Sequence, residues 1–178
     1  MTYAKNGPII VRPMDPSDIM SLESGFSKQG WHKPAAQFER YYKEQQSGLR
    51  QVFIAEWEGE VAGYTTLLPC AKAGPYAGQN IPEISDFNVL MRFQRRGVGS
   101  CILDAAERAA AKVCDSVSLG VGLHAGYGTA QRLYVKRGYL PDGSGVWYRN
   151  QPLEPYTACV NDDDLVLYFL KKLDSHSL

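Results

Sequence analysis

The stretch from Ile81 to Lys112 constrains this chain more than any other. It opens as IPEISDFNVL, whose apolar and β-branched residues suit a strand, and it closes on CILDAAERAAAK. Val98, Ile102, Ala105, Ala109 and Val113 recur at helical spacing and predict a helix with one face inward. Between the two lies Gln94-Arg95-Arg96-Gly97-Val98-Gly99. A strand that turns through glycines into a helix aims several backbone N–H groups at one point, and the helix dipole adds positive charge there. Such a loop is an anion site, and glycine lets a phosphate approach without Cβ interference. Arg92, Arg95 and Arg96 set guanidinium groups around the same spot. The same residues also suit tight helix–strand packing with a solvated arginine rim. A P-loop is excluded because no Gly-Lys-Ser/Thr run exists, and Ile102 stands where a Rossmann fingerprint needs its third glycine.

Composition narrows the class. A chain of 178 residues suits one domain with a substantial core, and 44% hydrophobic with 21% charged residues is ordinary for a globular protein. Nineteen basic and nineteen acidic residues cancel, so no nucleic-acid or anionic-membrane partner is expected. Cys70, Cys101, Cys114 and Cys159 form no C-x-x-C pair, and Cys101 and Cys114 are expected to be buried thiols in a reducing cytoplasm. His32, His124 and His176 are scattered, which argues against a metal. No charged-then-apolar stretch stands at the start, so no leader is expected, and no apolar run approaches the ~20 residues of a membrane helix.

Along the chain, Gly7 to Arg12 reads as a strand and Asp15-Pro16-Ser17 as the start of a short helix through Leu22. A polar connection from Ser24 to His32 and a second helix from Pro34 to Gln46 follow. Gln51 to Glu58 and Val61 to Leu68 form an antiparallel hairpin, and Pro69 to Asn80 is a loop. After the central strand and helix comes a strand from Ser116 to Leu123, in which Gly120 and Gly122 predict a bulge or a close approach. Thr129 to Arg137 reads as a helix capped by Gly138. Tyr139 to Asn150 and Leu165 to Lys172 read as closing strands. Asn161-Asp162-Asp163-Asp164 between them reads as a turn.

The run Gln94-x-x-Gly97-x-Gly99 after a strand resembles the acetyl-CoA pyrophosphate loop of the GNAT N-acetyltransferases. A second motif of that family, Ala-x-x-Leu-Tyr-x-x-x-Gly-aromatic, stands at Ala130, Leu133, Tyr134, Gly138 and Tyr139. The likeness runs from Ile9 to Phe169. It implies an α/β, GNAT-type acyl-CoA N-acyltransferase fold, with a mixed, mostly antiparallel central sheet flanked by helices. It implies a single domain over residues 1–178, acetyl-CoA as acetyl donor and no metal. The implied reaction moves acetyl to a primary amine of a small molecule or peptide by direct attack in a ternary complex. Homodimers are common among similar proteins. The alternative is a catalytically silent acyl-CoA-binding sensor or interaction domain, which keeps the loop but lacks a base and an open acceptor pocket.

The resemblance also assigns roles. Gln94, Arg95, Arg96, Gly97, Val98, Gly99 and Ser100 would hold the pyrophosphate. The Val89 N–H would face the thioester oxygen, with Leu90 and Met91 beside the pantetheine arm, which would lie where the Gly120 strand splays. Tyr134 would give the departing sulfur its proton. Glu83, eleven positions ahead of Gln94, is the favoured base, directly or through water. Asp86 is the other carboxylate, and strand alternation sends the two to opposite faces. Trp31 and Tyr41 are substrate-contact candidates that also suit packing. Tyr127 stands where the family often has a cofactor-contacting Asn, and is assigned to the acceptor pocket or the cofactor arm.

Overall fold

A computed structural model of the chain describes residues 2–173, so His176 lies outside the described residues. The chain divides into two compact units, Met1–Pro69 with Ile84–Ala109, and Cys70–Glu83 with Ala110–Leu178.

In the first unit, β1 (Ala4–Asn6), β2 (Ile9–Arg12), β3 (Gln51–Trp57) and β4 (Glu60–Leu68) are successive neighbours, each pairing antiparallel with the next. Next to β4 runs β5 (Glu83–Val89), whose first residue falls in the other unit. The short β1 is an element the sequence reading lacked. The hairpin from β3 to β4 turns at Glu58-Gly59, both in the left-handed region (φ 50° and 87°). Val52, Phe53, Ile54 and Ala55 are all fully buried, so β3 is a strand with core on both sides.

Helix α1 (Asp18–Lys28) is longer than the sequence reading, which stopped it at Leu22 and took Ser24 to His32 for a connection. Leu22 and Phe26 are fully buried one turn apart, and that apolar stripe carries the helix through Gly25. Gly25 is there for packing: a Cβ would stand 2.9 Å from Leu90 Cδ1. The start of α1 is fixed by Arg12, whose guanidinium forks onto the buried Asp18 at 2.7 and 2.8 Å while its Nε donates to Glu56. Helix α2 (Ala35–Gln46) buries Phe38 and Tyr41. Phe26, Phe38, Tyr41 and Tyr64 of β4 then meet ring to ring, with centroids 5.4 to 6.4 Å apart.

Helix α3 (Val98–Ala111) buries Val98, Ile102, Leu103, Ala105, Ala106 and Ala110. Val113, expected on that face, lies beyond the helix end and is 73% exposed. Cys101 is buried as expected, whereas Cys114 is only half-buried because the helix has already ended.

In the second unit, β6 (Ser116–Gly122), β9 (Leu165–Lys172), β7 (Leu140–Tyr148) and the two-residue β8 (Gln151–Pro152) lie in that order with antiparallel pairings. Glu83 pairs in parallel with Ser118, which makes the pairing mixed but mostly antiparallel. Helix α4 (Gly128–Lys136) follows β6. The glycines of β6 mark close approach, of side-chain rings. A Cβ on Gly120 would come within 3.2 Å of the Tyr168 ring, and one on Gly122 within 2.3 Å of the Tyr127 ring. Among the described residues no helix is long and apolar enough to cross a membrane.

The approach of β4 to β5 is set by Gly63, where a Cβ would stand 2.5 Å from Asn88 O and 3.0 Å from Val89 Cα. Both neighbours are backbone and yield little. Gly63→Ala is therefore expected to destabilise by about 1–3 kcal/mol, read as a lower midpoint in thermal unfolding. An unchanged midpoint would show that the β4–β5 spacing is slack.

Candidate functional site

The loop between β5 and α3 has the geometry of an anion cradle. The Cys101 N–H donates to Gly97 O at 3.1 Å, so the helix starts at Gly97, and the N–H groups of its first turn have no carbonyl ahead of them. Gly97 sits at φ 84°, a conformation that any Cβ would strain. Gly99 is closely packed, and a Cβ there would stand 3.0 Å from Phe87 Cζ. Arg95 (φ 59°) and Arg96 are exposed at the rim, with Arg96 over the Trp57 ring. Arg92 is drawn aside by Glu60 at 2.8 Å. Ser100 is half-buried in the first helical turn.

Several of the sequence-predicted residues face elsewhere. Gln94 sends its Nε2 to Val89 O at 3.1 Å, bracing the strand end. Leu90 and Val98 are buried, so they offer a ligand only backbone, and the Leu90 N–H is already given to Ala62 O. Met91 is half-exposed, but its N–H donates to Gln29 Oε1 at 2.9 Å. The exposed N-terminus of α3, glycine on its approach and two rim arginines together fit a pyrophosphate.

Asp86 was named in the sequence only as the second carboxylate, and the cluster that gathers around it is what sequence reasoning missed. Its backbone lies in the left-handed region (φ 52°), which breaks the expected strand alternation. Its carboxylate accepts from five side chains: Lys33 at 2.8 Å, Gln37 at 2.7 Å, Tyr41 at 3.0 Å, Asn88 at 2.8 Å, and the Tyr64 hydroxyl. Burial pushes its pKa up, but the Lys33 charge and the hydrogen bonds from Lys33, Tyr64 and Tyr41 outweigh it, and the pKa falls below the usual carboxylate value. A carboxylate so held is a poor proton acceptor. The same charge acts on its donors. Tyr41 is pushed up to about 12 and Tyr64 further, in both cases by burial first and Asp86 second. The spacing of Lys33, Gln37 and Tyr41 was the sole trace of this cluster in the sequence.

Beside it, the link between α1 and α2 forms a cleft of about 400 Å³ lined by Glu23, Ser27, Trp31, His32, Lys33 and Pro34 among others. Trp31 stacks on Phe26 at 6.0 Å and remains 37% exposed, so it is both a packing residue and a cleft wall. Tyr41 is buried against Asp86.

In the second unit, Tyr134 is buried on α4, edge-on to Tyr139 at 5.6 Å. Burial first, and the Tyr127 charge second, push its pKa well above that of a free tyrosine. Tyr127 lies over Gly122, and its hydroxyl donates to Asp163 at 2.9 Å. His124 accepts the Gly126 N–H at Nδ1, which leaves Nε2 as donor to Asp163 at 3.0 Å. The aspartate run at Asp162–Asp164 is a turn, and among the described residues no group of His, Cys, Asp or Glu has a metal-binding arrangement. Glu83 is half-buried, and the Tyr168 pKa is raised by burial first and by the Glu83 charge second.

With this geometry in hand, comparison with known proteins is specific. The sequence profile described as "Acetyltransferase (GNAT) family" matches residues 17–139. A search of curated proteins finds no match. Among solved structures, RimL, a ribosomal-protein alpha-N-acetyltransferase in complex with coenzyme A, superposes with a TM-score of 0.74. The two are 12% identical over 98% of this chain and 99% of that one. Ard1 from Thermoplasma volcanium gives 0.67 at 20% identity, covering 93% and 98%. The acetyltransferase yncA from Salmonella typhimurium, bound to acetyl-CoA, gives 0.68 at 15% identity, covering 97% and 98%. At these identities the likeness is one of fold.

The Asp86 carboxylate sets an acid limit on stability. Its folded pKa lies below its unfolded one, so it stabilises fully above the unfolded value of about 3.9 and loses that contribution as pH falls through the folded value. Asp86→Asn is expected to lower stability at pH 7 and to flatten the decline below about pH 4. Denaturant unfolding at several pH values checks this. Parallel acid declines in the two proteins would contradict it.

Proposed function

The chain belongs to the acetyltransferase (GNAT) family, and from that premise we propose that it transfers acetyl to a primary amine by direct attack within a ternary complex. Membership makes it an acetyl-CoA-dependent acyltransferase; the acceptor and the residue roles are our reading. The observation that carries this reading is the start of α3, with its Gly97 turn and the rim arginines Arg95 and Arg96. Those groups hold the pyrophosphate of acetyl-CoA, which supplies the activated acetyl thioester.

The Val89 N–H, where β5 ends, donates to the acetyl carbonyl oxygen, and such a backbone donor is worth ~10²–10³ in rate. Gln94 supports it by holding the Val89 carbonyl, which fixes the orientation of the strand end. The acceptor enters over the α1–α2 cleft, where the Glu23 carboxylate and the Trp31 ring suit a cationic amine, on a small molecule or a peptide. Glu83 takes the ammonium proton, directly or through water. Asp86 is unsuited to that task because its lone pairs are engaged and its pKa is depressed. Tyr134 hydrogen-bonds the departing sulfur, and its raised pKa keeps it protonated as donor throughout neutral and mildly alkaline pH. The free state of all four cysteines supports a reducing compartment, and we assign the chain, as one catalytic domain over residues 1–178, to the cytoplasm.

Calorimetry with CoA and acetyl-CoA, followed by thiol release with an amine panel, tests the whole reading. Binding with acceptor-dependent release is expected, and no heat with either nucleotide would refute it. Tyr134→Phe should lower kcat by ~10²-fold or more while CoA affinity stays native; unchanged turnover would remove Tyr134 from the mechanism. Replacing Arg95 and Arg96 together with Ala should weaken CoA binding and reduce its sensitivity to salt.

A further inference from the structure

The link between α1 and α2 is fastened to the β5 run at two points. At its start, Gln29 accepts the Met91 N–H through Oε1 at 2.9 Å. Near its end, Lys33 reaches the Asp86 carboxylate at 2.8 Å, with its ammonium 5.7 Å from the ring centres of both Phe26 and Tyr64. The two anchor positions, Asp86 and Met91, bracket Val89. The fastenings differ in quality. Gln29 Nε2 is, among the described residues, a buried side-chain nitrogen with no hydrogen-bond partner, so the amide is only half used. The Lys33 ammonium has a full charge partner and two aromatic faces, in a place where both side chains are less than one-fifth exposed. The Lys33 end therefore holds the link.

That end also belongs to the cleft, which Lys33 lines together with Trp31 and His32. Asp86 in turn collects Gln37 and Tyr41 from α2 and Tyr64 from β4, so one carboxylate sets the position of the link, α2 and two strands at once. We infer that Lys33 and Asp86 are a positioning pair that fixes the α1–α2 link against β5, and that this pair sets acceptor affinity without taking part in acetyl-CoA binding. The inference rests on the transferase reading for its second half only. Lys33 is taken up by the Asp86 carboxylate and the two rings, so it serves as a fastening and not as an acceptor amine.

Lys33→Met, which keeps the stem and removes the charge, and Lys33→Arg, which keeps the charge, are the test variants. Hydrogen–deuterium exchange of the link should rise about tenfold or more in Lys33→Met and stay near native in Lys33→Arg. In kinetics with an acceptor found by the amine panel, Lys33→Met should raise the acceptor KM about tenfold or more. Its kcat and its Kd for CoA should stay native. Native exchange in the link, or a native acceptor KM, would overturn the pair's role. So would a rise in exchange spread through β3 and β4 with an equal loss of CoA affinity, since that would mark a structural role alone. If the native protein bound CoA but acetylated no amine, the transferase reading would fail, while the exchange measurement would still decide whether the pair holds the link.

Discussion

A carboxylate taken out of water is costly, and Asp86 is tolerated because five side-chain donors surround it and Lys33 cancels its charge. The local order of the first unit follows from that requirement. Lys33 must reach back from the α1–α2 link, α2 must present Gln37 and Tyr41, and β4 must present Tyr64, or the charge is left short of partners. The left-handed backbone at Asp86 is the local cost of aiming the carboxylate at them, and it is sustained by how many groups converge there. The aromatic rings of Phe26, Phe38, Tyr41 and Tyr64 pack around the same point, so the polar cluster and the apolar core stabilise one arrangement.

The loop between β5 and α3 depends on this frame at one remove. Close approach of β4 at Gly63, the Leu90 N–H given to Ala62 and the Leu90 side chain against Gly25 fix where β5 ends. Gln94 then braces the Val89 carbonyl, and the turn at Gly97 starts α3. The loop's backbone N–H groups are thus aimed by packing on either side of it, which is what preorganisation toward a charged group requires. Arg95 and Arg96 add charge at the exposed rim, whereas Arg92 is diverted to Glu60.

In the second unit, tyrosine and glycine fit against one another. Tyr168 lies against Gly120 and Gly74, and Tyr127 lies over Gly122, so each ring takes the space a side chain would have filled. The two glycines inside a strand were visible in the sequence, and their meaning as close approach was open to reading. That rings were the partners was not, because Tyr168 is far from Gly120 along the chain. The early end assigned to α1 has a similar cause. Gly25 reads as a break when taken alone, and only the presence of Leu90 shows it to be a packing glycine.

By itself the sequence determined the class of fold, the strand–loop–helix unit, the second motif on α4 and the family. These are local features: apolar periodicity, glycine where the backbone turns left-handed, and short motifs whose spacing is fixed by one helix or one loop. Only the tertiary structure decided which side chains share a charge. Asp86 could be singled out beforehand as one of two carboxylates, but its partners come from positions 33, 37, 41, 64 and 88. Electrostatic and hydrogen-bond energies depend on distance in space and on burial, and a linear sequence carries neither for residues brought together by folding.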